Sequence, residues 1–310
     1  MVADVGGTNT RIALFDPATD QLRSVATYTN RQYPRFEDVI AHWLASLEEP
    51  QPTSCCIAVA APPSADHVDM INMHWSFYCS ELASQFGFRQ LRRLNDFESN
   101  AFALPYLGAE QLQLLYSGSG EPAGRLATVG PGTGLGGAFL DNRVTPAVSY
   151  PCEPGHMGLS PGTELELELF RLLLPQHADI YSELLVSGPG LQRLYQCLGT
   201  IRGETVTDLE PADISARAIA GEDPLCVQAL ETFCALLGSV CGDFLLASGA
   251  YGGLYLAGGI IPGMIPFLRS SQFQQRLTAK GAMGPRLRMI PVYVITASHP
   301  GLIGAAHAPL

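Results

Sequence analysis

The stretch DVGGTNTRIALFD, Asp4–Asp16, decides how the rest of this chain is interpreted. Two adjacent glycines and two threonines stand in it between two runs that are typical of β-strands. A tight hairpin turn needs only one glycine or an Asn-Gly pair, so this loop has more backbone donors and fewer bulky side chains than a turn requires. We therefore expect a ligand to approach the main chain of this loop closely.

A second copy of the pattern follows 125 residues later, in GPGTGLGGAFLD. Each copy gives a strand, a Gly/Thr loop, a second strand and an aspartate. Four pairs of positions are identical at this offset: Gly7 and Gly132, Thr8 and Thr133, Ala13 and Ala138, Asp16 and Asp141. The repeat predicts a fold built from two related halves.

The chemistry of both loops favours phosphate binding. Exposed N–H groups in a tight turn form a concavity that binds anions, whereas a plain hairpin turn would not need to recur at matching positions. The GxxxxGK[ST] loop is excluded, because Lys280 is the only lysine in the chain. Gly132-x-Gly134-x-x-Gly137 matches the dinucleotide pattern, but residues 136–140 continue as a strand where that pattern needs a helix. This argues against an NAD-dependent oxidoreductase.

Composition excludes several other classes of protein. The 310 residues are 47% hydrophobic and 15% charged, which is typical of a globular chain. A formal net charge of −11 argues against nucleic-acid binding. No apolar run reaches the roughly 18 to 20 residues of a membrane helix, and no signal peptide is recognisable. The eight cysteines show no disulfide or CxxC spacing, so we expect reduced thiols and a cytoplasmic protein.

Strand-like and helix-like segments mix along the chain and predict an α/β protein with two related lobes. Glu164–Leu174 alternates with period two and is compatible with either a strand or a helix. The glycine-rich segment Gly118–Gly124 is typical of a linker or an exposed loop. We predict strands at Thr10–Phe15, Ser24–Tyr28, Cys55–Ala61, Leu91–Leu94, Ala127–Val129, Leu254–Ala257 and Val292–Ile295, and helices at Phe36–Leu47, Phe97–Leu104 and Pro224–Leu246.

Three groups of polar residues could carry chemistry. Asp96 follows Asn95 where a strand gives way to a helix, so it is either the helix cap or a general base. Glu153 and His156 lie three residues apart and could hold a metal or sugar hydroxyls, although no HExxH pattern accompanies them. Glu183 is most simply a solvated surface residue on local sequence alone.

Seven motifs in chain order resemble bacterial glucokinases of the proteobacterial and cyanobacterial type, within the actin-like sugar-kinase ATPase superfamily. They cover nearly the whole chain: DVGGTNTRIALFD, LNDFESNAFALP, GPGTGLGGA, EPGH, LLVSGPGL, LAGGI and HPGLIGAA. The resemblance implies a two-lobed actin-like (ribonuclease H-like) α/β fold with a central cleft. It implies a small domain of residues 1–106 with 296–310 and a large domain of residues 107–295.

The same resemblance implies a role for each candidate residue. Asp96 matches the catalytic base, and the sugar contacts match Asn95, Glu153, His156 and Glu183. Asp4 matches a residue that influences Mg²⁺. The nucleotide contacts match Asp4, Gly6, Gly7, Thr8, Gly132, Thr133, Gly134, Ser187, Gly188, Gly258 and Gly259. Pro154 stands where the family often has glycine, which leaves the Glu–His spacing unchanged.

The implied activity is ATP-dependent phosphorylation of the C6 hydroxyl of glucose, the first step of glycolysis, by a cytoplasmic homodimer. ATP and Mg²⁺ would be the cofactors, without structural zinc, nucleic acid or membrane. Alternatives are a kinase for another hexose or an N-acetylated amino sugar, and a non-catalytic sugar sensor. Only three residues precede Asp4, so the natural start could lie upstream and a DNA-binding region is not expected.

Overall fold

The computed structural model describes residues 1–60, 66–70 and 73–310, so the last residue of the strand predicted at Cys55–Ala61 lies outside the described residues. Contacts between residues divide the chain into two compact units. The first unit consists of Met1–Gly108, Pro146–Pro151 and Ala297–Leu310, and the second of Ala109–Thr145 and Cys152–Thr296. The domain boundaries predicted from the sequence place Pro146–Pro151 in the large domain, whereas this segment belongs to the first compact unit.

The strands are numbered in chain order. They are β1 (Val2–Val5), β2 (Asn9–Asp16), β3 (Gln21–Thr29), β4 (Ser54–Val59), β5 (His67–Asp69), β6 (Ser76–Tyr78), β7 (Gln90–Asn95), β8 (Leu112–Tyr116), β9 (Leu126–Pro131), β10 (Leu135–Asp141), β11 (Val148–Cys152), β12 (Gly253–Leu256) and β13 (Val292–Ile295). Every strand predicted from the sequence is present, with its ends shifted by at most a few residues.

The α-helices are numbered in the same way. They are α1 (Phe36–Ala45), α2 (Cys79–Phe86), α3 (Asp96–Ala103), α4 (Glu164–Leu173), α5 (Ser182–Leu185), α6 (Gly188–Arg202), α7 (Pro211–Ala220), α8 (Pro224–Ser248), α9 (Ile265–Ser270), α10 (Phe273–Thr278), α11 (Gly284–Arg288) and α12 (Pro300–His307). The three helices predicted from the sequence are confirmed as α1, α3 and α8.

The two large sheets repeat one topology. Their strand orders are β3-β2-β1-β4-β7 and β11-β10-β9-β12-β13-β8. In the first sheet, β1 and β2 form an antiparallel hairpin, β1 pairs in parallel with β4, and β4 pairs in parallel with β7. In the second sheet, β9 and β10 form the hairpin, β9 pairs in parallel with β12, and β12 pairs in parallel with β13. The prediction of two related halves is therefore confirmed, and β8 is an additional antiparallel strand at the edge of the second sheet.

Burial of both sheet faces explains the apolar central strands. Parallel strands are normally covered by helices on both sides and so lose the alternation of polar and apolar residues. In β4, the five residues Cys55–Val59 are all buried. This places the core of the first unit around the strands whose ends carry the candidate site.

Helix α8 forms the core of the second unit. The Asp223 side chain accepts hydrogen bonds from the N–H groups of Leu225 and Cys226 at its start, and Gly249 with φ of 63° ends it. The helix is long and apolar enough to cross a membrane, but 83% of its most apolar window is buried inside the protein. Burial by the surrounding helices and sheet accounts for its composition.

The ambiguous segment Glu164–Leu174 is helical, so the strand interpretation is wrong. Thr163 caps α4 by accepting a hydrogen bond from the Glu166 N–H at 3.2 Å. The Glu166 side chain is buried, and its Oε1 lies 2.6 Å from Arg276 Nη1. A buried ion pair with a residue 110 positions away is not visible in the local pattern.

The glycine-rich segment Gly118–Gly124 is a loop within the second unit. The Gly120 N–H donates to the Met289 carbonyl at 2.8 Å, and the Glu121 N–H donates to the Tyr251 carbonyl at 2.9 Å. Of the two interpretations offered by the sequence, the loop is correct.

Close packing between α3 and α12 makes Gly304 sensitive to substitution. A Cβ at Gly304 would overlap the Ser99 carbonyl oxygen. We expect Gly304→Ala to lower the free energy of unfolding by about 3 kcal/mol through overpacking. Thermal denaturation checks this, with Gly263→Ala as the control because no heavy atom lies within 4 Å of the added Cβ. Equal melting temperatures for the two variants would contradict the packing described here.

Candidate functional site

The first glycine loop, Gly6–Thr8, joins β1 to β2, and Asn30 holds it in shape. The buried Asn30 side chain donates from Nδ2 to the Gly6 carbonyl at 2.7 Å and accepts at Oδ1 from Thr10 Oγ1 at 2.8 Å. The Asn30 N–H donates to the Thr8 carbonyl at 2.9 Å. The carbonyl groups of Gly6 and Thr8 are thus both engaged by Asn30. Asn30 could not be identified from the sequence, because no local pattern marks a residue that lies 24 positions from the loop.

Asp4 lies on β1, two residues before this loop, in a confined position. Its side chain is 19% exposed, and its Oδ2 lies 3.4 Å from Arg11 Nη1 on the neighbouring strand. A Cβ at Gly301 would lie 2.7 Å from Asp4 Cγ, so the first turn of α12 packs directly against the carboxyl group. Burial raises the pKa of Asp4, and the charges of Arg11 and His299 oppose that effect.

Asn95 and Asp96 lie at the same edge of the first sheet as the loop. Val5 pairs with Val59, and Val59 pairs with Asn95, across parallel strands. The carboxyl ends of these strands therefore share one edge, and Asn95 stands two strands from the loop, about 10 Å away.

Asn95, and not Asp96, caps α3. Asn95 Oδ1 accepts from the N–H groups of Phe97 at 2.9 Å and Glu98 at 3.3 Å, and the Glu98 side chain accepts from the Asn95 N–H, which completes a capping box. Asp96 Oδ1 also accepts from the Phe97 N–H at 2.9 Å, but the residue before the helix is Asn95, so the interpretation of Asp96 as the cap is wrong. Asp96 is the first helical residue, where the helix dipole favours a carboxylate.

The second glycine loop, Gly132–Gly134, lies between β9 and β10 and meets two other predicted segments. Its Gly132 carbonyl accepts from the Gly188 N–H at 2.8 Å, at the start of α6. Gly258 follows β12 with φ of 91°, and a Cβ there would overlap the Pro131 carbonyl oxygen. Only glycine fits this approach between the ends of β9 and β12. The structure therefore brings Gly132, Thr133, Gly134, Gly188, Gly258 and Gly259 together.

The Ser187 side chain makes its hydrogen bonds within the protein. Its buried hydroxyl donates to the Glu183 carbonyl at 2.8 Å and accepts from the Gly190 N–H at 3.0 Å, which caps α6. The side chain thus fixes the position of Gly188 at the helix start.

A cavity of about 610 Å³ opens at these glycines in the second unit. This volume is within the range of small-molecule sites. Apolar side chains form much of its wall, and the backbone of the glycine loop forms one side. The residues that matter here are Gly132, Thr133, Gly188, Gly259, Ile219, Ile260 and Met264.

The turn that carries Glu153 and His156 lies beside Glu183, in the same unit. The Leu159 N–H donates to the Ile180 carbonyl at 2.8 Å, and the Ser182 N–H donates to the Met157 carbonyl at 2.9 Å, so the two segments run side by side. Both Glu153 and His156 are about two-thirds exposed, at 69% and 66%. These side chains can therefore meet a ligand from solvent.

Stacking orients the imidazole of His156. Its ring lies parallel to that of Tyr181, with 5.7 Å between the ring centroids. His156 Nδ1 lies 3.8 Å from Glu153 Oε2. Among the described residues, no group of three or more His, Cys, Asp or Glu side chains could hold a metal ion.

Glu183 supports the second glycine loop. Its Oε2 accepts a hydrogen bond from the Leu135 N–H at 2.8 Å, directly after Gly134. A Cβ at Gly134 would lie 2.5 Å from the same oxygen. The interpretation of Glu183 as a solvated surface residue is wrong, and a contact with a residue 48 positions away could not be read from local sequence.

The raised pKa of Asp4 predicts a stability effect. The folded chain binds the Asp4 proton more tightly than the unfolded chain, so the associated stability is present below about pH 3.9 and is lost as pH rises through the folded pKa. We expect Asp4→Asn to raise the melting temperature at pH 7, with the gain shrinking toward pH 4.

Asp16→Asn is the matched control. A hydrogen bond from the Ala18 N–H lowers the pKa of Asp16, so its contribution is present at neutral pH and is lost as pH falls. We expect this variant to melt below wild type at pH 7. An Asp4→Asn variant that also melts below wild type there would contradict the cost assigned to the buried carboxylate.

Comparison with known proteins gives one consistent family. The family model for glucokinase matches residues 1–309. The chain is 38% identical to a glucokinase of Saccharophagus degradans over 99% of this chain and 96% of that protein. It is 37% identical to a glucokinase of Colwellia psychrerythraea over 99% of this chain and 94% of that protein.

Solved structures agree in fold. The crystal structure of glucokinase from an Antarctic psychrotroph has a TM-score of 0.90 and 36% identity, covering 99% of this chain and 97% of the other. A ROK family glucokinase from Streptomyces griseus, at 18% identity and a TM-score of 0.62, shares the fold over 98% of this chain and 96% of the other. The predicted actin-like α/β fold is confirmed, and the chain belongs to the glucokinase family.

Proposed function

We propose that this chain transfers the terminal phosphoryl group of ATP to the C6 hydroxyl of D-glucose. The observation that carries the proposal is the position of Asp96, at the start of α3 and at the same sheet edge as the Gly6–Thr8 loop. Membership of the glucokinase family and the names of relatives at 37–38% identity support it.

The nucleotide is assigned to the glycine segments. Gly7 and Thr8 of the first unit, and Thr133 and Gly134 of the second, would meet phosphate oxygens through their N–H groups. Gly6 and Gly132 would act by closing the two turns, because their N–H groups donate to the carbonyls of Asn9 at 3.0 Å and Gly134 at 2.7 Å. The adenosine part would enter the cavity bordered by Gly188 and Gly259, next to Gly258. Ser187 would act by fixing the start of α6, because its hydroxyl is already bonded within the protein.

Glucose would be held by a mixed set of donors and acceptors. Sugar hydroxyls both donate and accept, so a carboxylate and an imidazole suit them together. Glu153, His156 and Glu183 supply such groups from the second unit, and Asn95 supplies its amide from the first. Asn95 Oδ1 is occupied in capping α3, so its Nδ2 group is the part assigned to the sugar.

Asp96 would accept the proton of the C6 hydroxyl as that oxygen bonds to the γ-phosphorus. The bond from the γ-phosphorus to the bridging oxygen breaks, and ADP leaves with that electron pair. Positioning and electrostatic stabilisation supply most of the acceleration in phosphoryl transfer, and a placed general base contributes about 10²- to 10⁴-fold.

Asp4 fits a role beside a nucleotide-bound magnesium ion. Mg²⁺ is usually held by one or two carboxylates together with substrate phosphates and water, so a site without a protein cluster of three ligands is compatible with it. Bound with ATP, the ion would neutralise phosphate charge. Asp4 would orient it from a position fixed by the start of α12 and by Arg11.

The alternative functions predict different results in one assay. A kinase for another hexose or for an N-acetylated amino sugar would differ in the pocket around the C2 substituent, and a sugar sensor would bind without turnover. We further propose a cytoplasmic homodimer that binds neither nucleic acid nor membrane, on the resemblance to the family and the acidic charge.

A phosphorylation assay that couples ADP release to a measured signal, run against a panel of hexoses, tests the proposal. We expect rapid, sugar-dependent ADP release with glucose and formation of glucose 6-phosphate. Preference for another hexose or an amino sugar would overturn the substrate assignment, and silence with all sugars despite glucose binding would favour the sensor.

Asp96→Asn tests the assigned base. We expect kcat to fall by about 10²- to 10⁴-fold while the dissociation constant for glucose changes little, because the amide keeps the shape but cannot take the proton. Asp38→Asn, at the equivalent first turn of α1 and paired with Arg35, is the control and should keep wild-type turnover. Near-normal kcat in Asp96→Asn would remove Asp96 from this role.

A further inference from the structure

We infer that Glu183 is a positioning residue for the second glycine loop as well as a sugar contact, so that sugar and nucleotide bind with positive coupling. The inference rests on the proposed function. It makes one carboxylate the physical link between the two ligands within the second unit.

Glu183 reaches the loop from one side through its carboxylate. Oε2 accepts from the Leu135 N–H at 2.8 Å, and Gly134 and Gly155 both pass so close that an added Cβ would lie 2.5 Å and 3.1 Å from this oxygen. A hydrogen bond to a charged acceptor is stronger than a neutral one and fixes direction. The carboxylate therefore sets where the loop returns into β10.

The main chain of Glu183 is connected to the other end of the loop through Ser187 and Gly188. Its carbonyl accepts from Ser187 Oγ, which caps α6, and Gly188 at the start of α6 donates its N–H to the Gly132 carbonyl. The segment from Glu183 to Gly188 and the loop from Gly132 to Leu135 are thus joined by a hydrogen bond at each end. The carboxylate therefore provides one of the two connections between these segments, and the main chain at Gly188 provides the other.

The turn that carries the other sugar contacts enters the same cluster. Gly155 lies between Glu153 and His156, and a Cβ there would press on both the Leu135 carbonyl and Glu183. A bound sugar that orders this turn and Glu183 would hold the second glycine loop in the conformation that binds phosphate. Reciprocity of binding free energies requires that nucleotide also strengthens sugar binding by the same factor.

Two glycines of the loop give a matched pair of variants. In Gly134→Ala the new Cβ would displace the Glu183 carboxylate, whereas in Gly132→Ala no heavy atom lies within 4 Å of the new Cβ. Calorimetry with glucose in the absence of nucleotide should show about tenfold weaker binding for Gly134→Ala and a change within about twofold for Gly132→Ala. Equal glucose affinities in the two variants would overturn the inference.

The reverse measurement uses a non-hydrolysable ATP analogue without sugar. We expect Glu183→Ala to bind it about tenfold more weakly, Glu183→Gln to recover most of the affinity because its amide oxygen can accept from Leu135, and Glu153→Ala to match wild type. Wild-type affinity in Glu183→Ala would overturn the inference. If Glu183→Ala does not fold, the comparison of Gly134→Ala with Gly132→Ala decides whether the inference holds.

If wild type binds the analogue but not glucose, the proposed function fails. The Glu183→Ala result would still decide whether Glu183 positions the loop.

Discussion

Strands β1 and β9, one in each large sheet, end in turns whose main chain must remain accessible to a ligand, and the rest of the arrangement follows from that constraint. Small residues leave the backbone of the turn accessible, but they also leave the turn without side chains of its own to hold it. One hydrogen bond closes each turn, from the Gly6 N–H to the Asn9 carbonyl and from the Gly132 N–H to the Gly134 carbonyl. The protein supplies that support from elsewhere in the chain. Asn30 holds the carbonyl groups of the first loop, while Gly188 and Glu183 hold the second.

The supports differ in kind, and the difference has a functional consequence. Asn30 is buried and neutral, so it fixes the first loop independently of any ligand. Glu183 is partly exposed and charged, so its position can respond to a ligand. The partly buried Asp4 carboxyl is costly to the folded chain at neutral pH, which is expected where function needs a charge that stability disfavours.

The elements of the fold that are encoded by local sequence could be predicted. The two hairpins, their repeat and the helix after Asn95 follow from periodicity and turn residues, and the structure confirms them. The sequence could not predict structure that depends on a contact with a residue far along the chain. The helix at Glu164 is favoured by a buried pair with Arg276, and Glu183 is defined by Leu135. At Asn95 and Asp96 two neighbouring side chains could both cap, and only geometry shows that Asn95 does.

Backbone amide chemical shifts measured by NMR with a non-hydrolysable ATP analogue test the central claim most directly. If both glycine loops hold the phosphate tail, the amides of Gly6–Thr8 and of Gly132–Gly134 should shift together, with one dissociation constant. Shifts confined to one loop, or absent from both while the analogue binds, would contradict the account.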